Sequence, residues 1–248
     1  MSHNIIVRVA TPDDKKYAET ITTEMEESAK ARGTGIAKRS PLYIEQKMEE
    51  GKAVIAVMPD GTWVGFCYIE AWEHEKYVAN SGLIVSPAFR KTGIATEIKR
   101  KVFELSRKKY PDAKIFGLTT GLAVMKINSD LGYEPVTYSE LTTDDEFWKG
   151  CQSCVNYDIL MSKGRKNCMC TAMLFDPVEK AKEEAEKKAA LLAQQAPPVT
   201  LEAKEFAANS KIYERFMRLK QFVLLKGWKK RNDEPQSKSS LLSFLFFW

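Results

Sequence analysis

At 248 residues, with 44% hydrophobic and 29% charged side chains, the chain has the composition of a water-soluble folded protein and is neither disordered nor fibrous. Residues 178–248 hold 14 Lys and Arg against 9 Asp and Glu, the whole of the net charge of +5. The first 177 residues are therefore near neutral, which excludes a catalytic surface built for nucleic acid. No apolar run approaches the 18 or so residues of a membrane span, and Met1-Ser2-His3-Asn4 does not open a secretory leader, so the expected compartment is the cytoplasm.

Ile5 to Ala10 reads as a strand, and Thr11-Pro12-Asp13-Asp14 starts a helix that helix-spaced Ile21, Met25 and Ala29 carry to about Ala31. The basic loop Arg32-Gly33-Thr34-Gly35-Ile36-Ala37-Lys38-Arg39 follows, and Ser40-Pro41 begins a second helix. Ala53 to Met58 is a strand, Pro59-Asp60-Gly61-Thr62 a hairpin turn, and Trp63 to Trp72 the returning strand. Glu73-His74-Glu75-Lys76 turns the chain into a strand from Tyr77 that stops at Ser86-Pro87, where proline cannot donate to a ladder.

The stretch around Pro87 organises the rest. After the strand end Leu83-Ile84-Val85 comes a turn, Arg90-Lys91-Thr92-Gly93, and then Ile94, Ile98, Val102 and Leu105 at helical spacing with Lys and Arg between them. A strand, a glycine turn and a helix aim unpaired amides at an anion such as a pyrophosphate. Gly93 supplies a positive φ or a close approach, small Ala95 leaves room, and Arg90 adds donors matched to phosphate oxygens. Further on, Lys114 to Thr120 is a fifth strand, Gly121 to about Leu131 a fourth helix, Gly132 to Tyr138 leads into a sixth strand, and Cys170 to Phe175 is a seventh.

Val85-Ser86-Pro87 followed by Arg90, Gly93 and Ala95 resembles the acyl-CoA-binding signature of the GNAT acyltransferase superfamily, with Lys91 where many members carry Gly or Arg. The order β-α-α-β-β-β-α-β-α-β-β over roughly residues 4–177 agrees with that family. The resemblance implies an α+β fold, a mixed sheet of about seven strands flanked by helices, with residues 1–177 as the domain and 178–248 as a helical extension. It implies acyl transfer from acetyl-CoA, or another acyl-CoA, to the amine of a small acceptor. The pantetheine would lie between splayed fourth and fifth strands against Leu83, Ile84 and Val85, with Lys91, Thr92, Gly93, Ile94 and Ala95 at the phosphates. The Val85 N–H would polarise the thioester carbonyl. The family's usual proton donor is a Tyr four residues before a Gly-Phe or Gly-Tyr pair; here the pair is Gly132-Tyr133 and Asn128 takes that place. An amide cannot protonate a thiolate, so Asn128 would only orient the sulfur or a water. Glu70 is the first candidate base and Glu73 the second, with Asn80 or Ser81 relaying through water.

In this fold the connection between the first two helices lines the acceptor side. Arg32, Lys38 and Arg39 there are candidates to hold an acceptor carboxylate, against the reading of a solvated basic loop. This loop and Ser81-Gly82-Leu83-Ile84-Val85 also resemble stand-alone GNAT proteins tied to arginine biosynthesis, whose acceptor would be an amino acid such as glutamate.

Cys151-x-x-Cys154 and Cys168-x-Cys170 form an insertion, 151–170, whose spacing suits tetrahedral zinc; reduced structural thiols and redox thiols are the alternatives. Residues 178–195 are Ala/Glu/Lys-rich and helical by propensity, and Leu201 to Arg231 reads as a basic amphipathic helix. The apolar end, Leu241 to Trp248, is expected to dock on its own domain or on a second subunit, which would make a homodimer. Peripheral membrane binding is the lesser reading. The competing function is a non-catalytic acyl-CoA sensor or assembly module stapled by metal.

Overall fold

A computed structural model describes residues 4–33 and 37–195, with side chains to 192. Among the described residues seven strands and seven helices follow the expected order, with two short helices, α5 and α6, that the sequence reading did not give between the last two strands: β1 (Ile6–Val9), α1 (Ala18–Ala31), α2 (Pro41–Glu49), β2 (Ala53–Val57), β3 (Trp63–Trp72), β4 (Tyr77–Val85), α3 (Ile94–Lys109), β5 (Lys114–Thr119), α4 (Leu122–Asp130), β6 (Glu134–Val136), α5 (Asp145–Lys149), α6 (Tyr157–Ser162), β7 (Thr171–Phe175) and α7 (Pro177–Gln195). The helix expected at Thr11 begins as a 3-10 turn over Pro12–Tyr17. The second helix is capped as its sequence requires, with Ser40 Oγ accepting from the Tyr43 amide.

The sheet order is β1-β2-β3-β4-β5-β7-β6. Only β4 and β5 run parallel, and β7 inserts between β5 and β6. Apolar strands dictate burial on both faces, and every residue of β2 is buried. On one face Ile55, Phe66, Tyr68 and Ile84 pack against Ile21 and Met25 of α1 and Ile44 and Met48 of α2. On the other, Val54, Val64, Cys67, Ile69 and Val78 pack against Ile94, Ile98 and Val102 of α3. The segment between β6 and β7, of which the insertion is the later part, builds a third cluster, with Tyr138, Leu141, Trp148 and Leu160 over Ala79, Phe116, Ala172 and Leu174.

Two irregularities in β4 distort the sheet and open one edge of the strand. Phe66 faces Ile84 and Tyr68 faces Ser81, so Cys67 of β3 stands opposite two residues, Gly82 and Leu83. Gly82 takes a φ of +65°, and a Cβ there would meet Tyr68 Cε1 at 2.3 Å, so only glycine fits this bulge. Beyond it the strand loses its other neighbour. β4 and β5 share rungs only at Tyr77–Lys114, Val78–Ile115 and Ala79–Phe116, and they part at Asn80 and Gly117.

No helix among the described residues is long and apolar enough to cross a membrane. The expected helix 201–231, the apolar end 241–248 and the second-subunit reading that rested on it lie outside the described residues.

Candidate active site

The parting of β4 and β5 makes a wedge whose apex lies at Asn80 and Gly117 and whose mouth faces the turn after Val85. Along the wedge, β4 keeps its ladder to β3 on one edge only. Ser86 N–H donates to Val64 O, and Val85 faces Gly65 in the next register pair. Antiparallel alternation then turns the Val85 N–H and C=O away from β3 and into the wedge. Ile84 stays on the ladder to Phe66 and Val85 O accepts from Arg90 Nε, so the group this edge leaves open is the Val85 N–H, a narrower edge than the Leu83–Val85 run the sequence reading asks for.

At the mouth, Thr92 Oγ1 donates to Phe89 O and Gly93, at φ +90°, caps α3. The first helical bonds, from Thr96 N and Glu97 N, both end on Gly93 O, so the amides of Gly93, Ile94 and Ala95 precede the helix's own ladder. A Cβ at Gly93 would have nothing within 4 Å, which leaves the turn open. Lys91 carries the left-handed conformation, φ +64°, in a side chain that lacks glycine's tolerance. The turn and helix end can therefore cradle a pyrophosphate.

Arg90 sits differently from the expectation that it meets phosphate. Its Nε donates to Val85 O at 3.1 Å, and its Nη2 donates to Glu24 Oε1 at 2.7 Å and Ser28 Oγ at 2.5 Å. In this arrangement it ties the loop to α1. Burial, then the Arg90 charge, lowers the basicity of Arg32 against the pull of Glu24, so Arg32 lies in the neighbourhood of Arg90 and Glu24.

On the α1/α2 face a polar cluster surrounds Glu70, which is 3% exposed. Its Oε1 accepts from Arg39 Nη2 at 3.0 Å and from Tyr43 OH at 2.5 Å, and its Oε2 accepts from Ser81 Oγ at 2.6 Å. Burial works against the Arg39 charge, but Tyr68, Glu70 and Tyr43 outweigh it and hold the guanidinium above its ordinary value. Burial, with Glu70 next, pushes the Tyr43 phenol up, so it stays a donor. Beside this cluster a cavity of ≈ 210 Å³ is lined by Thr22, Met25, Glu26, Lys38 and Arg39. Lys38 pairs with Glu26 at 2.7 Å, and its N–H donates to Ser153 Oγ at 2.9 Å. The insertion therefore borders the cavity, as its position before β7 suggests. Of the three basic residues read as acceptor contacts, the structure brings Lys38 and Arg39 together and places Arg32 elsewhere.

Glu73 is far from this chemistry in role. Its Oε1 accepts from Thr142 Oγ1 and from the Thr143 amide and hydroxyl, at 2.6–3.0 Å, so it clamps the β3–β4 turn.

On the α3/α4 face, Asn80 Nδ2 donates to Ser106 Oγ at 2.8 Å, and Tyr133 OH donates to Asn80 Oδ1 at 2.9 Å. Asn80 is thus engaged in the core, and Ser81 alone of the two faces Glu70. Asn128 is 1% exposed; its Nδ2 lies 3.7 Å from Met173 Sδ and its Oδ1 finds no donor.

The sequence reading passed over Lys99, which is 2% exposed with its Nζ 5.4 Å from the Tyr133 ring centre. The available signal was its spacing: Ala95, Lys99, Val102 and Ser106 run down one helix face, and Ser106 is wholly buried.

The four cysteines of the insertion, none in a disulfide, line one small cavity with Leu118, Tyr138, Trp148 and Leu160. Burial and the neighbouring thiols push Cys151 up to about 11 and Cys170 up to about 12. The spacing that suggested zinc does bring the thiols together, but among the described residues no group of three or more His, Cys, Asp or Glu is placed to hold a metal ion.

Comparison with known proteins bears on the fold. Residues 22–123 match the model of the Acetyltransferase (GNAT) family. No curated protein matches the chain. N-acetylglutamate synthase from Neisseria gonorrhoeae, solved with coenzyme A and N-acetyl-glutamate, superposes with a TM-score of 0.50 at 16% identity, covering 71% of this chain and 36% of that one. This chain thus spans about a third of that enzyme. A Mycobacterium tuberculosis protein in complex with CoA gives 0.49 at 18% identity, over 69% and 98% of the two chains. A phosphinothricin acetyltransferase from Sinorhizobium meliloti, with AcCoA, gives 0.47 at 16%, over 69% and 88%. At 16% identity the likeness to the synthase is one of fold.

Proposed function

We propose that this chain, which carries a GNAT acetyltransferase domain, moves an acyl group, acetyl first among them, from acyl-CoA to the amine of a small amino-acid-like acceptor such as glutamate. The observation that carries the reading is the wedge itself: β4 and β5 part beyond Ala79–Phe116, the Val85 N–H faces the gap, and the open amides of Gly93, Ile94 and Ala95 head it. Acyl-CoA bound there supplies an acyl group activated as a thioester. The amides at the α3 N-terminus hold the pyrophosphate, with Lys91 and Thr92 at their side. The outward Val85 N–H pairs with the pantetheine arm near the mouth, and the thioester at the arm's far end lies roughly 15 Å along the strand, at the apex by Asn80 and Gly117. Arg90 fixes the Val85 carbonyl and the loop, so its part is positioning.

Ser81 and Glu70 receive the proton of the attacking amine. Ser81 Oγ already donates to Glu70 Oε2, so the hydroxyl can take a proton from the amine while passing its own to the carboxylate. Arg39 and Lys38, at the edge of the ≈ 210 Å³ cavity, offer charge-assisted hydrogen bonds to an acceptor carboxylate. The four thiols enter this reading as reduced side chains, and zinc has no part in it. The second reading, a sensor that binds acyl-CoA without turnover, draws on Asn128 at the position where the family carries its Tyr.

The test is thermal stabilisation by acetyl-CoA and free CoA in the wild type and in Gly93→Glu, followed by CoA release with a panel of amino acids. Stabilisation that vanishes in the variant, with release dependent on an amino acid, supports the enzyme. Stabilisation without release from any acceptor supports the sensor. If neither ligand stabilises the wild type, the reading fails.

A further inference from the structure

Lys99 is an unusual core residue. It lies in the second turn of α3 with its side chain in the wedge-side core, and no carboxylate among the described residues pairs with it. The titratable groups facing it are Cys67 from β3 and Tyr133 after α4. A buried amine without a counter-charge is costly, and a Met or Leu would pack the same space at less cost. Its position relative to the wedge is what gives it meaning. Gly117 is the first β5 residue beyond the last rung shared with β4. A Cβ at Gly117 would stand 4.0 Å from Lys99 Nζ, 3.9 Å from Asn128 Nδ2 and 3.8 Å from Asn80 O. The ammonium and the Asn128 amide thus converge on the apex from the α3/α4 face, with Asn128 Oδ1 buried and short of a donor. Ser81 and Glu70 approach the same apex from the α1/α2 face.

We infer that Lys99 is the proton donor to the departing CoA sulfur, supplying what the Asn at position 128 cannot. The inference rests on the acyl-CoA reading and deepens it. In the transfer, the acceptor nitrogen forms its bond to the acyl carbon and the carbon–sulfur bond breaks. The amine proton goes through Ser81 to Glu70, and the Lys99 ammonium gives a proton to the thiolate, leaving neutral lysine and free CoA thiol. Solvent then removes the proton from Glu70 and returns one to Lys99. Asn128 stands where its amide can orient the sulfur. Burial pushes the Lys99 ammonium below the usual lysine range, which makes it a readier donor at neutral pH, although the nearby Cys67 opposes this in part.

The experiment compares the full-length wild type with Lys99→Met and Lys99→Arg in three measurements: thermal stabilisation by CoA, ultraviolet titration of the thiol of bound CoA, and the pH profile of acetyl transfer. Lys99→Met should keep CoA stabilisation and lower kcat by about 10- to 100-fold with little change in acceptor KM, because a thiolate needs less help than an alkoxide. The alkaline limb of the kcat profile should disappear. The bound thiol should ionise roughly one pH unit higher in Lys99→Met than in the wild type, since the charge that favours the thiolate is gone. Lys99→Arg should retain that lowered thiol titration but not kcat, because guanidinium holds its proton.

Wild-type kcat in either variant, or a bound thiol that titrates alike in the wild type and Lys99→Met, overturns the inference. Should Lys99→Met not fold, Lys99→Arg decides the matter through kcat. A wild type that CoA does not stabilise overturns the acyl-CoA reading as well, which separates the two failures.

Discussion

The Arg39–Glu70 pair can be dissected by a double-mutant cycle that separates scaffolding from chemistry. The side chains are 3.0 Å apart and 17% and 3% exposed, so each charge depends on the other. Removing one partner of a fully buried pair costs about 3–5 kcal/mol because it strands the other charge. Arg39 keeps some contact with water, and Glu70 keeps its Tyr43 and Ser81 donors, so about 2–4 kcal/mol is expected for Glu70→Gln and for Arg39→Met. The double variant strands no charge and should lose only about 2–3 kcal/mol, well short of the sum. Urea unfolding of the four proteins measures this directly. Additivity to within about 0.5 kcal/mol would refute the coupling and with it the view of Glu70 as a charge held by Arg39. Acetyl transfer by the same proteins then gives the chemical answer. Turnover should fall at least about tenfold in Glu70→Gln and stay low in the double variant, as a base demands. Recovery of activity together with stability would make Glu70 a scaffold only.

Two other sites give outcomes in the same unfolding assay. Gly82→Ala should cost about 3 kcal/mol or more, since its Cβ would meet Tyr68 Cε1 at 2.3 Å and Met25 Cε at 2.8 Å in a left-handed backbone; a loss under about 1 kcal/mol would show a bulge that yields. Asp14 is 3% exposed; burial favours its protonated form, but the two Arg8 bonds at 2.6 and 2.8 Å and the Thr11 amide and hydroxyl outweigh this and hold it below the usual carboxylate range. A depressed carboxylate contributes stability that is complete above its unfolded value of about 3.9 and lost as pH falls through the folded one. Urea midpoints should therefore fall more steeply below about pH 5 in the wild type than in Asp14→Asn. Parallel slopes would contradict this assignment.

Much of this was legible in the sequence because local chemistry and tertiary need agree. Ser40-Pro41, the Pro59–Thr62 turn and the Pro87 stop each fix an element end, and β3 appears with the boundaries read from its residues. The glycine turn before α3 was legible for the same reason, since Gly93 does in the structure what glycine does in isolation. Long-range pairing was not. Arg90 carries its charge to Glu24, 66 residues away, and no local signal reports that partner. Arg32 and Arg39 look alike in one loop, yet one lies by Arg90 and the other is buried on Glu70. Lys99 was hidden by an error of phase. The stripe read from Ile94, Ile98, Val102 and Leu105 puts lysines in water, whereas the buried face is turned toward Lys99 and Ser106, and Leu105 is only partly covered. The cysteine spacing was legible but the third apolar cluster between β6 and β7 was not, because Tyr138, Leu141, Trp148 and Leu160 follow no single period.

The Glu73 clamp has a mechanical meaning. Three rungs join the two halves of the sheet, and on one side of them the strands diverge while on the other Glu73 grips Thr142 and Thr143. From Ala79 to Val85 is about 20 Å of strand, and from Ala79 back to the Glu73 turn, which opens at Tyr77, only about 7 Å. The arrangement is that of pliers, with the rungs as the pivot, the Glu73 contact as the handles and the mouth by Val85 as the jaws. Three successive residues at the handle, Glu73, His74 and Glu75, hold left-handed φ angles of 49°, 54° and 67°, so that turn is itself under load. The Glu73 grip thus bears on the sheet at the end opposite the mouth.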